Sequence, residues 1–456
     1  MRRPSIRSLV GGAAGIVVGV TTGIALTSVS RAEPAAVELP ATIDAAHLPP
    51  VLTVPGDPVR LRYAIVCTPR EDGEPCRGAG TVYIRAGHSG PFESFKLRRG
   101  TDSIDGRYFV DVPREIASTR DGFSYYAVLR DEATSASITV PSGGAASPQR
   151  SFPLREAIDV DIGSHSFGNA RAPNERVLAA RWGSAVGELG LAGSRQLGFL
   201  GPSSFDVEAD SSVSVLDQVN ARVQRWRRGR PSVTPLAVGG GLADLAIERD
   251  GTISVLEPPS RARPTPVLRS FGPNGAHRWT QELSDRTWSQ LAAGPDGPVV
   301  QQQPSEQWLP AARAGIPLTR AGQARGATQG RPLLGGGQIL VDRVGAAELR
   351  LAEVAGNALV RAWRIAGATP FGEVQLAEPL GNRFIVVLKT YVDDRDEFLV
   401  VQLDRAGIAE SFAVDSAQWA EAAPLARFRL SGSSLYRLGS SPTGAFVDRF
   451  DLEVAP

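Results

Sequence analysis

The stretch SFDVEADSSVSVLDQ, residues 204–218, decides the fold, because its pattern returns further along the chain. DLAIERDGTISVLEP (244–258) and QLAAGPDGPVVQQQP (290–304) repeat it. Each copy has a short apolar strand, an acidic or glycine-containing turn and a second apolar strand. The Asp-Gly pair in the second and third copies is a strong signal for a hairpin turn. The repeat therefore predicts successive pairs of antiparallel strands.

Weaker copies continue the series to the C-terminus, at PLLGGGQILVDRV (332–344), QLAEPLGNRFIVVLKTY (375–391) and LARFRLSGSSLYRLG (425–439). Neighbouring copies lie about 40 to 50 residues apart, the length of a four-stranded propeller blade. Six units fit, so residues 165–456 are predicted to form a six-bladed β-propeller. RVLAARWG (176–183) is expected to add an outer strand to the last blade and close the ring, which removes exposed sheet edges.

Residues 51–164 show short strand patterns separated by turn residues, such as VRLRYAIVC (59–67) and GFSYYAVLRD (122–131). In the second pattern Phe123, Tyr125, Ala127 and Leu129 fall on one face. This spacing predicts an antiparallel β-sandwich. The region resembles immunoglobulin and fibronectin type III domains, a resemblance that implies architecture only. The predicted fold class is all-β, a sandwich followed by a propeller.

The N-terminus predicts export. Residues 1–32 combine a basic start, an apolar stretch at 9–29 and small residues before position 33, as a cleaved signal peptide requires. An uncleaved membrane anchor is the alternative, since about 20 apolar residues can span a bilayer. Both interpretations place the rest of the chain outside the cytoplasm, secreted or in the cell envelope. Residues 33–50 are predicted to be a linker.

The chain has two cysteines, Cys67 and Cys76, both in the exported part. An even pair in an oxidising compartment predicts a structural disulfide. A metal site or a redox pair is the alternative, although the spacing is not that of a CxxC motif.

Composition excludes some partners. The chain holds 49 basic and 48 acidic residues, so no net field attracts nucleic acid or anionic lipid. Membrane contact is expected only through an uncleaved N-terminal segment. We expect a monomer.

LDQVNARVQRW, residues 216–226, resembles the corner of NHL repeats, where Asp217, Asn220 and Arg222 match the pattern. WGSAVGELGL (182–191) is similar to the lead-in of such proteins. Two interpretations compete. The three side chains could bind a polar ligand, or they could fasten the hairpin, with Asp217 accepting backbone amides, Asn220 in a left-handed conformation and Arg222 paired with a carboxylate. We favour the structural corner.

Two enzyme families offer a catalytic alternative. Sugar-lactonase propellers hold a metal through a Glu before Gly-Pro, but here Leu200 precedes Gly201 and Pro202. Streptogramin lyases use a channel histidine, and His277 is predicted in an outer hairpin instead. We therefore predict no catalytic residue, no metal site and no cofactor.

The remaining candidates are the residues that begin the predicted innermost strands. Ser204, Asp244, Gln290 and Gln375 would ring one mouth of the channel. Such polar groups suit an unidentified protein or polar ligand, although they could be solvated strand ends. The sequence thus predicts an exported, non-enzymatic binding or scaffold protein. A metal-dependent lactonase-like hydrolase or a lyase in the channel is the alternative.

Overall fold

The computed structural model describes residues 43–67, 77–100, 107–194, 196, 198–260, 263–283, 288–302, 306–356, 358–416, 418–420 and 425–453. The predicted signal peptide or anchor (1–32) and Cys76 lie outside them. Cys67 ends a strand, and its predicted pairing with Cys76 stays a prediction. None of the helices in the described ranges is long and apolar enough to cross a bilayer.

The N-terminal part consists of two sheets that share one apolar core. Their strands are β1 (Ile43–Ala46), β2 (Leu52–Thr53), β3 (Arg60–Cys67), β4 (Gly78–Ala86), β5 (Glu93–Lys96), β6 (Arg98–Arg99), β7 (Arg107–Asp111), β8 (Phe123–Asp131), β9 (Ser137–Val140) and β10 (Gln149–Pro153). One sheet has the order β1-β3-β7-β6 and the other β2-β10-β8-β4-β5, with β9 beside β8. Helix α1 (Arg114–Ala117) joins β7 to β8. Phe123, Tyr125, Ala127 and Leu129 are fully buried between the sheets, as their alternation predicts.

The predicted linker at 33–50 needs correction in its described part. Strand β1 pairs with β3, from Ile43 opposite Cys67 to Ala46 opposite Ala64. His47 follows and is buried, with its Nε2 2.8 Å from the Tyr125 hydroxyl and its ring stacked on Tyr63. The sequence did not predict this strand. The segment around it is rich in proline, and the polar residues of the strand face outward on a sheet edge.

The C-terminal part is a β-propeller built from successive antiparallel sheets. Its strands are β11 (Ile158–Asp161), β12 (Glu175–Arg181), β13 (Ala192–Ser194), β14 (Gly198–Leu200), β15 (Ser204–Val207), β16 (Val213–Asp217), β17 (Arg222–Arg227), β18 (Arg230–Pro235), β19 (Asp244–Ile247), β20 (Ile253–Glu257), β21 (Val267–Phe271), β22 (His277–Glu282), β23 (Trp288–Ala293), β24 (Pro298–Gln302), β25 (Gln307–Pro310), β26 (Ala312–Arg313), β27 (Ile316–Pro317), β28 (Arg331–Pro332), β29 (Gln338–Gly345), β30 (Glu348–Ala355), β31 (Ala358–Ala366), β32 (Phe371–Leu380), β33 (Arg383–Val392), β34 (Arg395–Asp404), β35 (Gly407–Asp415), β36 (Phe428–Ser431), β37 (Ser434–Ser441) and β38 (Gly444–Asp451). A short helix, α2 (Arg320–Arg325), precedes β28.

The propeller sheets follow one another along the chain. We name them sheet 1 (β15–β18), sheet 2 (β19–β22), sheet 3 (β23–β25), sheet 4 (β28–β31 with β11), sheet 5 (β32–β35) and sheet 6 (β36–β38 with β12). The innermost strands touch between β15 and β19, β19 and β23, β32 and β36, and β36 and β15, whereas sheet 4 meets its neighbours through the pairs β25–β28 and β29–β32. The contact between sheets 6 and 1 closes the ring.

The outer strand of sheet 6 comes from upstream, as the sequence predicted. β12 pairs antiparallel with β38, from Glu175 opposite Arg449 to Arg181 opposite Gly444. Sheet 4 gains its outer strand in a different way, because β11 pairs parallel with β31. β11 lies before residue 165, the predicted start of the propeller, so the structure places part of the preceding region in a propeller sheet.

Apolar clusters fill the spaces between neighbouring sheets. Phe205 and Val215 of sheet 1 pack with Leu438 and Val447 of sheet 6. A further cluster joins the two parts of the chain, where Leu52 and Phe152 of the sandwich pack against Leu340 and Ala352 of sheet 4. Burial on both faces explains why these strands are almost continuously apolar.

Candidate functional site

Two of the predicted channel-mouth residues are joined to each other across neighbouring sheets. The hydroxyl of Ser204 donates to Oδ1 of Asp244 at 2.8 Å. The other oxygen of Asp244 accepts the backbone N–H of Leu291 at 2.8 Å. Ser204 and Asp244 are almost fully buried. These hydrogen bonds connect the innermost strands of sheets 1, 2 and 3, so both side chains serve the packing of the ring.

Asp206 and Arg429 extend this inner network, and sequence reasoning missed both. Asp206 Oδ2 accepts the backbone N–H of Ile247 at 2.9 Å. Arg429, on β36, donates to the carbonyl of Leu245 at 3.2 Å and lies 3.8 Å from Asp206. The repeat itself held the signal, since Asp206 and Arg429 each follow a buried aromatic anchor, Phe205 or Phe428.

Burial controls the charge state of the inner acids. Desolvation raises the pKa of Asp244 above its ordinary value, while Arg429 and the backbone N–H donors oppose the rise. Burial also raises the pKa of Asp206, again against Arg429. Arg429 therefore opposes the rise in pKa of both carboxyl groups.

The other two predicted channel-mouth residues are not part of this network. Gln290 is exposed at the inner edge of sheet 3. Gln375, on β32, donates to the exposed Glu373 at 2.7 Å. The structure thus divides the predicted set of four into a buried bonded pair and two solvent-accessible amides.

The corner formed by Asp217, Asn220 and Arg222 is hydrogen-bonded to the segment of chain that enters sheet 1. Asp217 Oδ2 accepts from Arg222 Nε at 2.7 Å and from Asn220 Nδ2 at 2.9 Å. Arg222 also donates to the carbonyls of Ser184, Ala185 and Glu188. The lead-in that follows β12 is therefore held by sheet 1, which connects the closing strand to the start of the ring.

Two details of the corner differ from the sequence expectation. Residues 218–220 form a 3₁₀ turn, and the left-handed residue is Ala221 with φ 52°, not Asn220. Asp217 Oδ1 accepts the N–H of Gly190, a residue of the lead-in and not of the turn. A Cβ on Gly190 would come within 2.8 Å of that oxygen, so a glycine is required there.

An open cleft of about 540 Å³ lies at the other ends of the inner strands, away from Ser204 and Asp244. Its walls are the turns of sheets 2, 3 and 4 and the β26–β27 hairpin. The charged and apolar groups that line it include Glu248, Arg249, Asp250, Asp296, Arg313 and Leu334. Asp296 and Arg313 are 3.7 Å apart with about two thirds of each side chain exposed. Unlike the inner network, this cleft presents charges to solvent.

The histidines of the described chain are spread over distant places. His277 begins the outermost strand of sheet 2, as predicted, and bonds to Thr280. His165 lies 2.7 Å from Glu397 of sheet 5. Across the described residues, no three His, Cys, Asp or Glu side chains converge in a way that could hold a metal ion.

Comparisons with known proteins give no family. No family model matches the chain, and no curated protein matches it. Among solved structures, virginiamycin B lyase from Staphylococcus aureus is 9% identical and covers 55% of this chain and 94% of its own, with a TM-score of 0.32. A gluconolactonase from Xanthomonas campestris is 12% identical and covers 62% of this chain and 99% of its own, with a TM-score of 0.24.

Proposed function

We propose that this chain is an exported binding or scaffold protein that contacts a protein or polar ligand through its propeller surface. In this proposal the propeller has six blades with an NHL-like first corner. Sheets 1 to 6 and the contacts between their inner strands support that count. The two N-terminal sheets with their common core support an immunoglobulin-like sandwich.

One observation carries the proposal: the cleft formed by the turns of sheets 2, 3 and 4 offers exposed charges, whereas the inner acids are bonded to the ring. Asp244 accepts three hydrogen bonds, from Ser204, Leu245 and Leu291. A ligand at Asp244 would have to break bonds that join three sheets. Asp296 and Arg313 bear no such cost, since a ligand can contact them without disturbing a sheet ladder.

A charge swap tests the cleft without changing net charge. Asp296→Arg combined with Arg313→Asp keeps an ion pair but reverses the local pattern. The matched control, Asp159→Arg with Arg364→Asp, swaps an exposed pair 2.6 Å apart on sheet 4. Each full-length variant is immobilised and used to capture material from the native envelope. We expect a species retained by wild type and control but lost from the cleft variant.

Equal capture by all three proteins would overturn the assignment to this cleft. Melting temperatures of the three proteins, measured beforehand, establish that each variant is folded.

A hydrolase or lyase in the channel remains the second candidate, and one observation favours it. Asp206 and Asp244 are carboxyl groups of raised pKa beside one guanidinium, an arrangement that can supply a general acid. Turnover of lactone or cyclic ester substrates by wild type, abolished by Asp244→Asn while the protein stays folded, would support catalysis. Absence of turnover together with selective capture would favour the binding protein.

A further inference from the structure

Sheets 1 and 2 carry a glutamate at the same position of the repeat, in the turn that follows the innermost strand. In SFDVEADSSVSV this residue is Glu208, and in DLAIERDGTISV it is Glu248. Each carboxylate accepts a hydrogen bond from the serine six residues further on, from Ser214 Oγ at 3.1 Å and from Ser254 Oγ at 3.4 Å. The two turns therefore hold their glutamates in the same way.

The two glutamates differ in their counter-ion. On β17, Arg225 lies opposite the serine of sheet 1, and its Nη2 is 2.6 Å from Glu208 Oε2. On β21, the residue opposite the serine of sheet 2 is Ser270, which carries no charge. Within the described ranges, no basic side chain forms an ion pair with Glu248. Sheet 2 therefore has the carboxylate of this pair without its guanidinium.

The arginines at and beside the cleft have other partners. Arg278, on the outermost strand of sheet 2, lies 3.8 Å from Asp250. Arg249 donates to the carbonyl of Leu334 at 3.5 Å. Arg313 belongs to the exposed ion pair of the cleft. None of these three supplies the counter-ion that is missing in sheet 2.

The position of the missing guanidinium borders the cleft. The face of sheet 1 that carries Arg225 packs against sheet 2, and the same face of sheet 2 packs against sheet 3. The open cleft lies at the turn end of sheets 2 and 3, with Glu248 in its wall. An arginine in sheet 2 equivalent to Arg225 would lie on the face that borders this cleft. The repeat therefore indicates which kind of group the cleft lacks.

Electrostatics at Glu248 favour a cation. Burial raises the pKa of this carboxyl group and the nearby Asp250 raises it further, while Ser254 and Arg278 act in the opposite direction. A bound cation would favour the ionised carboxylate and offset its desolvation. The arginine of sheet 1 acts on its own glutamate in this direction.

The cleft also offers apolar surface to a ligand. Leu334 is an exposed leucine in its wall, and Pro295 lies in the same wall. Long basic side chains lay their alkyl stems along apolar surface while the charged end stays among polar groups. An organic cation with an alkyl stem can use both features, whereas an inorganic cation uses only the carboxylate.

We propose that the cleft binds an organic cation, with an alkyl ammonium or guanidinium group paired to Glu248 as Arg225 is paired to Glu208, and with its stem on Leu334. The proposal rests on the function proposed above, because it names the class of ligand for the same cleft. A basic side chain of a polypeptide partner and a free polyamine share this chemistry.

The test measures the binding of N-terminally acetylated tetralysine to the purified full chain at low salt. The same peptide acetylated on every side chain supplies the stems without the charge. We expect the charged peptide to bind at least about tenfold more tightly than the acetylated one. Spermine separates the two sources, since tighter binding of tetralysine assigns the site to a polypeptide and tighter binding of spermine to a polyamine.

Three variants locate the binding. Glu248→Gln removes the charge but keeps an oxygen that can accept from Ser254, and it should lower affinity about tenfold or more. The matched control, Glu208→Gln, is the same change where Arg225 already occupies the site, and it should leave affinity unchanged. Ser270→Arg gives sheet 2 the arginine of sheet 1 and should prevent binding. Melting temperatures establish which variants are folded, and Glu248→Gln decides the matter if Ser270→Arg is not.

No binding of tetralysine by wild type at low salt, or an equal loss in Glu248→Gln and Glu208→Gln, would overturn the proposal. Displacement by calcium chloride beyond that by sodium chloride of equal ionic strength would also overturn it, because the carboxylate would then take a metal ion.

The capture experiment distinguishes these failures from a failure of the proposed function. If only the class of ligand is wrong, Glu248→Gln still captures the species that the charge-swapped cleft variant loses. If the assignment to the cleft is wrong, both variants capture it as wild type does.

Discussion

Sheets 1 and 2 have corners that differ in sequence and agree in chemistry. In sheet 1, Asp217 binds Arg222 and the N–H of Gly190. In sheet 2, where the motif is absent, Glu257 ends the corresponding strand and binds Arg263 at 2.8 Å and Arg269 at 3.1 Å. Glu257 also accepts the N–H of Gly239. Both acids thus join an arginine to a glycine of the segment that enters the sheet.

The corner is therefore a clasp that holds the incoming chain, and different acids and arginines can build it. Sheet 4 also uses an acid to hold a separate segment of chain, because Asp342 on β29 accepts the N–H of Leu52 at 3.1 Å. Arg350 donates to the carbonyl of the same residue at 2.9 Å. Here the segment that is held belongs to the sandwich.

Removal of the acid in sheet 1 should have the largest effect. Asp217 and Arg222 are nearly inaccessible, with 1% and 10% of their side chains exposed. Asp217→Ala leaves a buried guanidinium without its carboxylate and should lower the free energy of unfolding by about 3–5 kcal/mol. Urea denaturation measures it, with the exposed Glu115→Ala as control. A loss below about 1 kcal/mol, the range of surface pairs, would contradict a buried clasp.

The same change in sheet 2 should cost less. Glu257 is buried, but Arg263 is 33% and Arg269 24% exposed, so water can replace their lost partner. Glu257→Ala should lower the free energy of unfolding by about 2–3 kcal/mol in the same denaturation experiment. A cost larger than that of Asp217→Ala would reverse the order that burial predicts.

The clasp of sheet 4 should give a pH dependence of opposite sign to that of an ordinary ion pair. Burial raises the pKa of Asp342 to about 6, against stabilising contributions from Leu52 and Arg350. A folded pKa above the unfolded value means that stability is complete below about pH 4 and falls as pH rises through about 6. Asp342→Asn lacks this ionisation, so its stability relative to wild type should be higher at pH 7 than at pH 4 by about 3 kcal/mol.

Unfolding free energies of wild type and Asp342→Asn at these two pH values check the sign. Burial also raises the pKa of Glu306 to about 7, with Asp342 adding to the rise, so the variant should keep a smaller fall of the same direction. If the unfolding free energies of the two proteins depended on pH in the same way, ionisation of Asp342 would not destabilise the folded state.

The sequence predicted the elements that depend on local pattern. The Asp250-Gly251 and Asp296-Gly297 turns join strands as expected, because glycine supplies the positive φ that these turns require. The strand predicted at 176–183 is observed at Glu175–Arg181 and adds the outer edge of sheet 6, because its alternation fits an edge position.

Elements that depend on distant partners escaped prediction. One residue separates β5 from β6, yet the chain leaves one sandwich sheet at Lys96 and joins the other at Arg98. Nothing local marks this crossing. Likewise Arg429 donates to the carbonyl of Leu245, which is 184 residues away in sequence. In sheet 2, which lacks the corner motif, Glu257 takes the part that Asp217 has in sheet 1. Such contacts form only when the folded ring brings distant residues together, and the spacing of residues in one sequence does not predict them.

The clasp is tested most directly by hydrogen–deuterium exchange in Arg222→Gln. This variant removes the bonds from Arg222 to the carbonyls of residues 184, 185 and 188 while Asp217 and Asn220 remain. We expect faster exchange in the lead-in at 182–191 and in β12 and β38 of sheet 6, with sheets 3 and 4 unchanged. Faster exchange confined to the turn at 217–222, with the lead-in as protected as in wild type, would show that the corner fastens only its own hairpin.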